Sequence, residues 1–484
     1  MTTRRSIVWM TGFVMLVFLA GPAWSQNVST STESTSASRQ GKEVFRWNSS
    51  GIMTDFKIEM RGKIELSDDD KDIRSISDDG YLEISKTVFG SKRTIVIESL
   101  GGGQVKKDYY ENRSKMPWEP NGKAWLSEIL PEVVRSSTIG AESRVNRLFK
   151  KGGTGAVLTE IGMLESDHVR EYYGTLLMKH PVPAKDYHTV INKLSETIDS
   201  DHYISEFLRK HAEKFIQQND ATAALFTATR KMDSDHYKAL VISQALKGAV
   251  TSPENLRLAL QSAAEMDSDH YITEVLTNLL NQNNMSDATM REVINTTKTL
   301  ESDHYRTIVL TKALDEAGLS DASHRAIVES IKEMSSDHYI TDVIFHFMNN
   351  KLSDAALSDL LDILSSIESD HYRTEVLKRI IDRQEMNEEQ FAKILEACGE
   401  MDSDHYKTVV LQETLSSSHL KNSIIQVLDA TSHMDSDHYI TEVLLSAAPK
   451  VKNGNVELKN AYRAAVKNIS SETYYGRALK AIEE

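Results

Sequence analysis

Cysteine is nearly absent from this chain: among 484 residues only Cys398 occurs, and it has no intrachain partner for a disulfide. Stability must therefore come from ordinary core burial. Proline is scarce as well, with eight residues, none inside a helix predicted below for the repeats. That scarcity suits a helical array, because proline disrupts a helix interior. The chain holds no H-E-x-x-H, C-x-x-C, G-x-x-x-x-G-K-S/T or G-x-S-x-G, which removes the usual signatures of zinc peptidases, redox proteins, nucleotide binders and serine hydrolases. Gly101-Gly102-Gly103 lies between strand-like segments with no helix start beside it, so it reads as a turn and not a phosphate cradle. Positive charge is in deficit too. A formal net charge of −15 argues against nucleic acid and anionic membrane surfaces as partners, and suits a long soluble surface.

Long apolar runs are missing except at the start. Arg4-Arg5 precede an apolar run over residues 7–20, then Gly21-Pro22 and a small-residue pattern at Ala23-Trp24-Ser25. This order predicts a secretory signal peptide over residues 1–25, the run being shorter than the roughly 20 residues of a membrane span. No cysteine marks the cleavage point for lipid attachment. The expectation is a periplasmic or secreted protein, not inserted in a membrane after cleavage, whose formal charge falls to −17 once Arg4 and Arg5 are removed.

Residues 26–46 are rich in Ser and Thr, without apolar periodicity, and read as a flexible linker. Over residues 47–115 alternation takes over, as in Phe56, Ile58 and Met60, Leu82 and Ile84, and Ile95 and Ile97. It predicts a small antiparallel β module that leans on the helices after it. Residues 116–165 read as a helical N-terminal cap: Trp125, Leu126, Ile129 and Leu130 share a helix face, and helices at 141–149 and 154–164 flank Lys151-Gly152-Gly153.

Residues 166–484 carry a repeat. The phrase seen best as Met266-Asp267-Ser268-Asp269-His270-Tyr271 returns with its central aspartate at Asp167, Asp201, Asp235, Asp269, Asp303, Asp337, Asp370, Asp404 and Asp437, in steps of 33 or 34 residues. A degenerate echo, Ser471-Glu472-Thr473-Tyr474, reads as a capping unit. Such a period means stacked supersecondary units. Each unit divides into a helix A that starts at the phrase and a helix B, whose start recurs as Ser286-Asp287-Ala288, Ser320-Asp321-Ala322 and Ser353-Asp354-Ala355. The predicted fold is mainly α: an α-α superhelix of about nine to ten helical hairpins, preceded by the β module. The tetratricopeptide landmarks are absent despite the shared period.

Helix B drifts in sequence between units while Ser-Asp-His-Tyr hardly changes. The serine, or the Asp/Glu before it, suits an N-cap, and the aspartate suits the positive end of the helix dipole. The tyrosine ring suits burial between helices, and a neutral imidazole bonding across to the next unit suits the histidine. The predicted inter-repeat contacts are therefore Asp167 and His168; Asp201, His202 and Tyr203; Asp235, His236 and Tyr237; Asp269, His270 and Tyr271; Asp303, His304 and Tyr305; Asp337, His338 and Tyr339; Asp370, His371 and Tyr372; Asp404, His405 and Tyr406; and Asp437, His438 and Tyr439. A catalytic triad does not fit, because consecutive residues at a helix start point in different directions. A shared metal fits poorly, because neighbouring helices lie about 8–10 Å apart and each unit offers one Asp and one His. The position after the tyrosine varies in chemistry, and Lys238, Arg306, Arg373 and Lys407 there form a candidate surface stripe for a partner. His180, His211, His324, His346, His419 and His433 follow no ligand spacing and receive no role.

Residues 125–135 (Trp-Leu-Ser-Glu-Ile-Leu-Pro-Glu-Val-Val-Arg), with Ile139-Gly140-Ala141-Glu142-Ser143-Arg144-Val145, Lys151-Gly152-Gly153 and Leu164-Glu165-Ser166-Asp167, carry a likeness. Together with the β module they resemble the extracytoplasmic C-terminal part of beta-lactam-sensor-type bacterial membrane metallopeptidases, over roughly residues 50–445. The helical part is also similar to HEAT-like α-solenoids. Here a signal peptide replaces the membrane helices and the zinc motif is missing, so peptidase activity does not carry over. The resemblance implies a bacterial envelope protein of the sensing or interaction kind. The expected function is that of a non-enzymatic surface that binds or scaffolds a protein partner, without a cofactor. The alternatives are a soluble component of envelope sensing and a metal-dependent hydrolase using the Asp-His ladder.

Overall fold

The computed structural model describes residues 33–39 and 42–50 as backbone, then 54–247, 253–281, 285–316, 319–349, 351–417 and 424–483. The expected signal peptide lies outside these. The chain divides into two compact units, one ending at Arg147 and one beginning at Leu148.

The first unit is built on an antiparallel sheet. Its strands are β1 (Glu33–Arg39), β2 (Lys42–Ser50), β3 (Thr54–Arg61), β4 (Ile64–Leu66), β5 (Ile73–Ile76), β6 (Tyr81–Val88), β7 (Ser91–Gly101), β8 (Gln104–Glu111) and β9 (Ser114–Met116). Seven of them pair in the order β1-β2-β3-β6-β7-β8-β9, and β4-β5 form a separate hairpin. The alternation read from the sequence is the pleat itself: Phe56, Ile58, Leu82, Ile84, Ile95 and Ile97 are buried, while Lys57, Glu83 and Val96 between them are not. The β6–β7 turn places Phe89 at φ 48° and Gly90 at φ 83°, the left-handed pair that a two-residue hairpin needs.

Two expectations change here. Much of the segment read as a linker forms β1 and the first part of β2, and the Ser/Thr-rich β1 finds its partner in backbone pairing instead of apolar alternation. The helix α1 (Lys123–Ser136), expected in the solenoid cap, belongs to the sheet unit. Its face of Trp125, Leu126, Ile129, Leu130, Val133 and Val134 shares one core with Ile58, Ile84 and Ile95. A sheet with one apolar face needs such a cover. The helix α2 (Ala141–Ile161) follows, and Arg144 Nε meets Asp70 Oδ2 at 2.6 Å in the β4–β5 loop. As the sequence suggests, Gly152 and Gly153 break α2 in two, with Gly153 at φ 60°.

In the second unit helices alternate in role. The A helices are Asp167–Leu177, Asp201–Phe215, Asp235–Lys247, Asp269–Leu280, Asp303–Leu314, Asp337–Phe347, Asp370–Arg383, Asp404–Ser416 and Asp437–Lys452. The B helices are Tyr187–Thr197, Asn219–Arg230, Pro253–Ala264, Asp287–Thr296, Asp321–Ile331, Asp354–Leu361, Glu388–Gly399, Ile424–Ala430 and Val456–Val466, and a last A-type helix, Glu472–Glu483, starts at the degenerate phrase. Each A helix packs on the next A helix and each B on the next B. The result is the expected solenoid. Apolar residues at helical spacing, such as Ile272, Val275, Leu276, Leu279 and Leu280, are buried along the whole stack. Contrary to the sequence reading, one proline does lie in a repeat helix, Pro449 near the end of Asp437–Lys452.

Candidate functional site

The phrase sits where each A helix begins, and its residues divide the work. Each aspartate is the first helical residue, and its carboxylate reaches forward to the following unit. Asp201 Oδ2 accepts from the backbone N–H of Asp233 at 2.9 Å and of Ser234 at 2.7 Å. Asp303 Oδ2 holds Ser335 at 2.9 Å and Ser336 at 2.8 Å. The same grip recurs from Asp167 to Asp437 at 2.6–3.2 Å. Asp370 uses a single donor, Ser403 at 2.7 Å. The serine N–H is the N-cap donor that no intrahelical carbonyl reaches, so the carboxylate satisfies it from one unit back. The carboxylates are largely covered, Asp235 and Asp404 keeping 11% and 10% side-chain exposure.

The serine hydroxyls do not cap the A helices as expected. Ser200, Ser268, Ser302 and Ser336 accept no bond from their own helix. Their ψ lies between 111° and 121°, whereas the B-helix serines that do cap have ψ of 151–160°. Ser286, Ser320 and Ser353 accept from the N–H three residues on. A second ladder runs there: Asp287 Oδ1 accepts from the hydroxyls of Ser320 and Ser323, and Asp321 Oδ1 from Ser353 at 2.7 Å. Those two serines hold the Asp287 carboxyl below its ordinary range.

The aromatic half of the phrase forms a column. Each histidine from His168 to His438 packs its ring against the tyrosine of the next unit, at centroid distances of 5.6–6.2 Å. From His202 onward it also meets its own tyrosine at 5.0–5.3 Å, tilted or edge-on. The column thus continues unbroken from His168 to Tyr474, the first phrase carrying Val169 in place of tyrosine. The tyrosines are half-buried, and the histidines from His202 onward are exposed. The expected imidazole hydrogen bond across the joint is replaced by ring contact. Across the joints the one polar contact to a phrase imidazole among the described residues is Tyr237 Oη to His202 Nδ1 at 3.5 Å, and within its own helix Glu206 Oε2 lies 3.9 Å from His202 Nε2.

The candidate partner stripe is corrected. Lys238, Arg306, Arg373 and Lys407 are buried, at 4–8% exposure. Arg306 donates to the carbonyls of Leu300 at 2.6 Å and Thr297 at 3.3 Å. Arg373 donates twice to Ile367, at 2.7 and 3.0 Å. Lys407 donates to the His433 carbonyl at 2.7 Å, and Lys238 pairs with Asp235 at 2.9 Å. Leu300 and Ile367 follow the ends of the preceding B segments, where carbonyls lack intrahelical donors and the dipole favours a cation. Arg306, Arg373 and Lys407 are internal closures of a helix end, and Lys238 is held by the aspartate of its own phrase. Sequence reasoning missed this although the signal was present: Ile204, Ile272, Ile340 and Ile440 hold the same position and are equally buried.

With the ladder, the column and the buried cations placed, the chain can be set beside known proteins. No protein-family model matches it, and no curated protein is significantly similar to it.

Other chemistry is sparse. The phrase aspartate points into the joint while its histidine points out, so the two do not converge, and among the described residues no group of three or more His, Cys, Asp or Glu is placed to hold a metal. Cys398 is buried, which pushes its thiol up to about 12 and leaves no thiolate nucleophile. His211 lies beside Phe207 and Phe215, and burial, with Lys214 and Lys210 adding repulsion, lowers it to about 4. His324 packs edge-on against Phe347 and is lowered by burial too. His180 stacks on Phe149 at 4.6 Å, and His346 Nδ1 lies 3.3 Å from the Asp342 carbonyl. His419 lies outside the described residues. A cleft of about 730 Å³ opens between helices Glu388–Gly399 and Ile424–Ala430, its rim carrying Glu396, Glu400, Asp429 and His433.

Proposed function

We propose that this is an exported, non-enzymatic repeat protein whose solenoid is a protein-binding or scaffolding surface in a bacterial envelope. One observation carries the reading. The most regular side chains of the molecule are spent either on joints, as the aspartates are, or on an exposed edge, as the His–Tyr column is. Neither use brings a nucleophile, a base and a stabilising group together, as an active site requires. An exposed edge repeated unit after unit suits recognition of an extended partner. Affinity capture from a cell-envelope extract, followed by size measurement of the recovered complex, tests the reading. A stoichiometric protein partner supports it; turnover of peptide or ester substrates by the purified chain would replace it.

A narrower reading, a soluble component of envelope sensing, draws on the resemblance carried by residues 125–145 and 151–167. Recovery of a membrane-bound sensor in the same capture would favour it. The metal-dependent hydrolase is disfavoured by the outward turn of every histidine away from its aspartate. Zinc content approaching one ion per repeat in purified protein would revive it.

A further inference from the structure

We propose that the edge bearing the His–Tyr column is a docking track for an extended cationic peptide segment, an inference that rests on the scaffold reading above and names its partner class. The joints do not need the imidazoles to bond, since the carboxylates hold each unit to the next. The imidazoles instead lie at the surface, each ring packed between two tyrosines. The tyrosine rings between those imidazoles attract cations.

The charge beside the column matches. Along the joints from Asp199 to Asp435, every residue three before these histidines is acidic and exposed except Ser335. Asp233, Asp267, Glu301 and Asp402 belong to this row, and among the described residues none of them has a basic side chain in ion-pair range. Glu274 and Asp342 add carboxylates four residues after His270 and His338. The basic residues of the phrase are withdrawn into the core, as Arg306 and Arg373 show, so they do not neutralise the edge. A nucleic acid would be repelled. An uncharged glycan would use the rings and leave the carboxylates without partners.

The spacing selects the shape of the occupant. Stacked helices repeat about every 8–10 Å, and an extended chain advances about 3.3–3.6 Å per residue, so one cationic side chain in about every three residues meets one unit each. Each contact is weak, and the array multiplies them.

The test uses the whole chain and a fluorescent peptide of about eight Arg-Gly-Ser triplets, compared with a peptide of the same composition whose arginines form one block. The spaced peptide is expected to bind about fivefold or more tighter than the blocked one, with affinity falling as salt rises. Two variants probe the edge: His270→Ala with His304→Ala and His338→Ala, and Asp267→Asn with Glu301→Gln and Asp402→Asn. All six side chains change at exposed or half-exposed positions, and circular dichroism should confirm an unchanged fold. The first set should weaken binding about fivefold by unseating the tyrosine rings that the cations meet. The second should weaken it about tenfold and flatten the salt dependence. Equal binding of spaced and blocked peptides, undiminished binding by both variants, or preferential binding of a chitosan oligomer over the spaced peptide would overturn the proposal. A protein captured from envelope extract whose recovery is unchanged by both variants would also overturn it while leaving the scaffold reading in place.

Discussion

A single aspartate carries each joint, and its replacement should be felt according to the donors it holds. Asp303→Ala removes a charged acceptor from two N–H groups, and denaturant unfolding should show a loss of about 1–3 kcal/mol. Asp370→Ala, with one described donor, should lose less. The histidine at 211 gives a pH signature. Its folded form stays neutral down to about pH 4, whereas in the unfolded chain it takes up a proton near pH 6.5. Between those values the unfolded state binds more protons, so stability is complete above about pH 6.5 and declines as pH falls toward about 4. In His211→Leu that part of the decline should flatten, as thermal midpoints across pH 4–7 would reveal.

Between helices, the two kinds of start predict opposite outcomes for the same substitution. Ser320→Ala deletes an observed N-cap and should cost about 1 kcal/mol, whereas Ser302→Ala, whose hydroxyl caps nothing, should leave the unfolding midpoint almost unchanged. Arg373→Ala should destabilise by about 2–4 kcal/mol, since it strips a buried cation from the Ile367 carbonyl and leaves a void. The sequence made the paired helices legible because their apolar spacing and the phrase repeat agree. It hid the fate of Arg373 because a basic residue ordinarily marks surface, and only comparison with Ile340 one unit earlier reveals an interior site. It also hid β1, since a Ser- and Thr-rich segment announces no strand until a partner supplies the backbone ladder. The aspartate was recognisable as part of the joint. Its forward reach of 31 to 34 residues was not, because dipole arguments concern only its own helix.

For the solenoid unit as a whole, nearest-neighbour packing means that stability accumulates unit by unit. Removing residues 303–336 takes out one complete unit and should leave a folded, shorter array, recognisable by helical circular dichroism and a lower unfolding midpoint. Removing residues 303–319, half a unit, should disrupt folding of the array, because helix Asp321–Ile331 would lose its hairpin partner. The forward-reaching carboxylate also gives the array a direction, with hook and eye always in the same order. The hook is nearly the same at every seam, so copying or excising a whole unit leaves a carboxylate facing a serine N–H at the new joint. Such a chain can lengthen or shorten over generations and remain, at each step, a protein that folds.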